Sequence, residues 1–186
     1  MRVLVVLAAL STVAIASPPS HGDGHAGSHS PYAGEETRAV STLSADDITA
    51  LLDGQGWGLA KPAELNGYPG PRHVLELADA LQLTPLQRLS VEASFERMKA
   101  RAKALGARYV EAEKALDELF KSGAADIGQL SERVAHAEKL RAELRSTHLG
   151  AHLEVTALLS PDQRKRYAEL RGYAGGAAHR HGKHEQ

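Results

Sequence analysis

The stretch LTPLQRLSVEASFERMKARAKALGARYVEAEKALDELFKSG (Leu83–Gly123) decides the fold. Apolar or small residues recur at Val91, Phe95, Met98, Ala102, Leu105, Tyr109, Ala112, Leu116 and Leu119. The steps alternate four and three, which is the seam of a long helix packed along another. Thr84 offers a hydroxyl as N-cap, and Pro85 takes the first helical position, where no amide donor is needed. Lys121-Ser122-Gly123 closes the stretch with a basic last turn and a C-terminal glycine.

Asp126 restarts a helix of similar length. Its stripe runs Leu130, Val134, Ala137, Leu140 or Arg141, Leu144, His148, Ala151, Val155 and Leu158. Two long helices joined by a few residues must be antiparallel neighbours. Ser160-Pro161 opens a final helix to about Arg171, closed by Gly172. Upstream, His73–Leu81 reads as a short amphipathic helix. LSADDITALLDGQG reads as another, with Ser44 as cap, Asp47 three residues on and Gly54 past its end. The glycine- and proline-rich run Gly54–Pro71 should be irregular, an arm over the helices with Trp57, Leu59 and Tyr68 as anchors. The fold class is therefore all-α, a long antiparallel helical hairpin with short flanking helices. So thin a hairpin buries little surface alone, and its alanine-rich seams invite a second copy, so a homodimer is expected.

The termini read differently. Residues 1–16 carry Arg2, an apolar run from Val3 to Ile15 and the small-x-small site Ala14-Ile15-Ala16, which together read as a cleavable secretory signal peptide. The rival reading, an uncleaved membrane anchor, needs roughly 20 apolar residues, more than this run supplies. Residues 17–42 form a His/Gly/Ser-rich segment expected to be disordered, 43–71 the short helix and arm, 72–173 the helical domain and 174–186 a disordered His-rich tail. The chain has no cysteine, so it depends on neither disulfides nor thiolate metal sites. An exported, cysteine-free helical chain fits a periplasm. Net charge is only −1, but Arg97, Lys99, Arg101, Lys103 and Arg108 form a dense basic run. Export makes nucleic acid an improbable partner for it, leaving a solvated face or a surface for acidic or unfolded polypeptide.

Leu-(Thr/Ser)-Pro-x-Gln-Arg occurs twice, at Leu83–Arg88 and Leu159–Arg164. Thr84 and Ser160 are N-caps, Pro85 and Pro161 take the first position, and Gln87 and Gln163 can reach back to the cap amide. Leu83 and Leu159 precede the caps and can staple onto the first turns. On local chemistry alone the motif is helix punctuation.

Its pairing around one hairpin, behind a signal peptide and without cysteine, resembles the periplasmic LTxxQ-motif family of Spy- and CpxP-like chaperones and related heavy-metal sensor and resistance proteins. The resemblance covers roughly residues 59–173. It implies a curved homodimer that binds unfolded or misfolded envelope proteins in envelope or metal stress, without ATP or catalytic groups. It also admits docking to a sensor kinase, as in CpxP-like members. Arg97, Arg101 and Arg108 share a helix face and can supply a basic client surface. Ser160 stands where the family usually has threonine.

The alternative expectation is a periplasmic metal-binding or metal-sensing accessory protein. Of ten histidines, His21, His25, His29, His179, His181 and His184 lie in the tails, where imidazoles on a mobile chain can converge on Zn²⁺, Cu²⁺ or Ni²⁺. His148 and His152 share a helix face at i, i+4, and a third ligand would come from His73, Glu92 or Glu96. The bland reading of His148 is a polar position in the seam. Metal-sensor members carry a histidine where this chain has Ala151, so their site carries over at best in part. Met98 is the only internal methionine, which excludes a methionine-rich copper site. No required cofactor is expected, and no nucleophile elbow, phosphate loop or H-E-x-x-H motif points to an enzyme.

Overall fold

The computed structural model describes residues 30–173. Residues 30–33 make a turn of their own, and the body described below spans 34–173. Its helices are α1 (Ala45–Leu52), α2 (Lys61–Glu64), α3 (Pro71–Glu76), α4 (Pro85–Lys121), α5 (Ile127–Leu158) and α6 (Pro161–Leu170). No strand occurs among the described residues. The long pair α4 and α5 pack side by side as an antiparallel hairpin, and the shorter helices flank it.

Three helix starts are built alike. The Gln87 amide donates to the Thr84 hydroxyl at 3.1 Å and the Thr84 amide to Gln87 Oε1 at 3.0 Å. Ser160 with Gln163 and Ser44 with Asp47 repeat this reciprocal pair. Each cap contributes about 1 kcal/mol by satisfying amides that the first turn leaves free.

Two apolar clusters fill the body. The larger joins Val40, Leu43, Leu51 and Leu59 to Ala102, Leu105, Tyr109 and Val110 of α4 and to Ala137, Leu140 and Leu144 of α5. The smaller lies at the open end of the hairpin, where Val74, Leu81, Val91, Val155, Leu159 and Tyr167 meet. Gly106 lets α1 reach the larger cluster, because a methyl at that position would collide with the Leu51 carbonyl. Trp57, with φ 43°, tilts its ring against Tyr109 at 5.9 Å between centroids and donates its indole N–H to Asp47 at 2.7 Å.

The structure departs from the sequence reading in five places. Segment 34–42, expected to be disordered, folds as turns: Val40 is buried, Ser41 donates to Asp117 at 2.6 Å and Thr42 to Glu113 at 2.7 Å. The helix expected over 73–81 runs only from Pro71 to Glu76 before turns lead to Gln82, whose φ of 51° breaks the helix. The arm, expected to be irregular, contains the one-turn helix α2. Tyr68, expected to anchor by its ring, is exposed and holds by its backbone carbonyl instead. Val134 is 41% exposed and Leu116 and Leu130 are only partly buried, because no other element among the described residues covers the hairpin tip. Phe120 and Ile127 are exposed there as well.

Among the described residues, no helix is long and apolar enough to cross a membrane. The signal peptide expected over 1–16, the disordered segment over 17–29 and the tail over 174–186 lie outside the described residues.

Candidate functional site

Between the two apolar clusters the hairpin changes character. On α5 the stretch between Leu144 and Val155 buries His148 and His152 with Ala151, and on α4 Phe95 and Met98 are only partly buried. A cavity of about 660 Å³ opens at this waist, walled by Asp53–Gly56, Gly70–His73, Phe95, Met98, Lys99, Lys103, His148 and His152. The structure thus gathers His73, His148 and His152 at one hollow. Glu92 and Glu96 are exposed and do not line it.

The imidazoles are held differently. His152 lies with Nδ1 2.7 Å from the Tyr68 carbonyl; a carbonyl only accepts, so Nδ1 carries the proton and Nε2 presents a lone pair. That ring needs glycine beside it, since a methyl at Gly70 would stand 2.8 Å from His152 Cε1. His148 is 3% exposed, and its Nε2 meets no hydrogen-bond partner among the described residues. Burial pushes the His148 pKa below the usual imidazole value, and His152 adds to the effect. His73 is also lowered, first by burial and then by Arg171. An imidazole buried without a partner costs about 1–3 kcal/mol.

Beside the cavity, Glu64 ties the arm to the end of the chain. Its Oε1 accepts from the Tyr167 hydroxyl at 2.6 Å, the Tyr173 hydroxyl at 3.1 Å and Arg171 Nε at 3.2 Å. Its Oε2 is buried and unpartnered, 3.9 Å from His152 Nδ1. Burial and the Glu64 carboxylate together push the Tyr167 phenol far above its usual range, which keeps it a donor. Sequence reasoning missed Glu64, because its partners are distant in the chain.

The basic run divides between two faces. Arg97 and Arg101 border an open trough between α4 and α5, floored by Ser94, Met98, Ser146, Thr147, Gly150 and Ala151. The trough encloses about 700 Å³. Arg97 pairs with Glu154 at 3.1 Å, an exposed contact. Arg108 lines a further hollow with Ala112, Ala115 and His136. Lys99 and Lys103 turn instead toward the waist cavity.

Thr84, Pro85, Ser160 and Pro161 start their helices as expected, and Leu159 is buried while Leu83 packs at the edge of the smaller cluster. The glutamines do more than cap. Gln87 Nε2 donates to Gln163 Oε1 at 2.9 Å and to the Leu158 carbonyl at 2.8 Å. Gln163 Nε2 donates to Gln87 Oε1 at 3.1 Å and to the Leu81 carbonyl at 3.2 Å. The two copies of the motif therefore clasp each other.

The tail histidines His21, His25, His29, His179, His181 and His184 lie outside the described residues. Among the described residues, no three His, Asp or Glu side chains converge to hold a metal ion. Comparison with known proteins gives no matching family model, no matching curated relative and no matching solved structure.

Proposed function

We propose that the protein is an ATP-independent, chaperone-like member of the periplasmic LTxxQ-motif family, which holds unfolded envelope proteins on its uncovered hairpin face and acts as a homodimer. The observation that carries this reading is the asymmetry of the hairpin. α1, the arm and α3 pack on one side, while no element among the described residues covers the trough bordered by Arg97 and Arg101. Small floor residues let an extended chain approach closely, and guanidinium groups at the rim attract acidic segments. Neither feature requires ATP or a reacting group.

The test is aggregation of a denatured acidic client followed by light scattering. Stoichiometric protein should suppress scattering, and Arg97→Glu/Arg101→Glu/Arg108→Glu should lose most of that effect while keeping its helical circular dichroism. Unchanged scattering with the unaltered protein sinks the proposal.

A metal-binding accessory role is the second reading, and the concentration of six histidines in the tails favours it. Calorimetric titration with Zn²⁺ and Cu²⁺, with and without residues 17–29 and 174–186, decides it. Binding that disappears with the tails supports ion capture there, and no heat in either form removes it.

A further inference from the structure

The waist cavity is not used by the client-binding reading, and its chemistry is specific. Lys99 and Lys103 stand at its wall, and neither has an ion-pair partner among the described residues. The Lys99 ammonium lies 5.6 Å from the centroid of the Phe95 ring. Phe95 and Met98 supply an apolar wall. Among the described residues Asp53 is the single carboxylate lining the hollow, against Lys99, Lys103 and Arg72, and Arg72 is already bonded to Glu76 at 3.0 Å. His148, 3% exposed, also lines the hollow.

Two lysines beside the imidazoles repel a cation and attract an anion. The volume, about 660 Å³, falls among small-molecule pockets, which span roughly 300–1,000 Å³ and combine apolar walls with a few placed polar groups. We propose that the waist cavity binds a small amphiphilic carboxylate, with its hydrocarbon against Phe95 and Met98 and its charge drawn by Lys99 and Lys103. Glycines at 54, 56 and 70 keep the opposite wall low. At Gly54 a methyl would stand 2.9 Å from Lys103 Cγ, so any other residue there would crowd the lysine stem.

Met98 is the internal methionine and a convenient reporter; it lines both the waist cavity and the trough, and the lysine variant separates the two. Octanoate titrated into protein carrying ¹³C-methyl methionine should shift the Met98 methyl resonance saturably, and 1-octanol should bind at least tenfold more weakly. Lys99→Gln/Lys103→Gln should weaken octanoate at least tenfold and leave octanol unchanged. Lys103 is exposed and Lys99 partly buried, and the circular dichroism of the variant should match that of the parent. A silent Met98 methyl at millimolar octanoate, or less than tenfold preference over octanol, overturns the assignment. So does a lysine variant that binds octanoate as the parent does.

Discussion

Gln87 and Gln163 donate to each other's side-chain oxygens, at 2.9 and 3.1 Å, across the open end of the hairpin. Each also completes the capping box of its own helix and bonds a carbonyl of the opposite strand of the hairpin end, Leu158 or Leu81. One residue type thus serves two tasks that are usually separate.

This clasp predicts coupling. Gln87→Ala and Gln163→Ala should each destabilise the fold by about 1–2 kcal/mol, the sum of a cap and a partly buried hydrogen bond. In a double-mutant cycle by urea unfolding they should show an interaction of about 0.5–1.5 kcal/mol. Additive losses would mean two independent caps.

Gly106 sets a second prediction. In an exposed helix interior, alanine in place of glycine stabilises by about 1 kcal/mol. Here the added methyl meets the Leu51 carbonyl, so Gly106→Ala should instead cost about 1–3 kcal/mol by overpacking. A thermal melt decides the sign, and a higher midpoint would contradict the close approach of α1 to α4.

Glu64→Gln tests the tie between arm and C-terminal end. The change keeps the shape but removes the charge that faces Arg171, and the Glu64 side chain is only 12% exposed. A loss of about 2 kcal/mol is expected. Hydrogen exchange should show it first in the backbone amides of residues 61–68. Unaltered protection of that segment would mean the arm is held by its apolar contacts alone.

Acid should weaken the waist. Because burial lowers the His148 pKa from 6.5, the unfolded chain binds the more protons between that value and the lower folded one. Stability then rises with pH and falls as pH drops below about 6.5. His152 adds repulsion to the protonated form, and His73, Lys99, Lys103 and Asp53 line the same cavity. His148→Leu should flatten urea midpoints between pH 7 and pH 5, and an equally steep profile would place the sensitivity elsewhere. Asp47, lowered below 3.8 first by its Ser44 bond, acts in a separate and more acidic window, where its contribution is lost as pH falls.

Helix starts were legible in the sequence because caps are local: Ser44, Thr84 and Ser160 each announce themselves within four residues. The hairpin was legible for the same reason, since its period runs unbroken through α4. What tertiary contact decides was not. Val134 fits the seam pattern yet faces solvent, because periodicity cannot say where covering elements stop. The basic run looked like one feature, but positions 97, 101 and 108 fall on a different face from 99 and 103. His148 and His152 were visible as a pair, whereas the lysines beside them were not, because that pairing needs the arm in place.

The Glu64 tie has one consequence for the order of events. Its hydroxyl partners stand 103 and 109 positions later, at Tyr167 and Tyr173. A chain emerging from the ribosome can pair its capping boxes turn by turn, but this carboxylate stays without its hydroxyl partners until synthesis has passed Tyr167. The Glu64 tie therefore forms only after the hairpin is complete, and a chain ending before Tyr167 holds its arm without either hydroxyl.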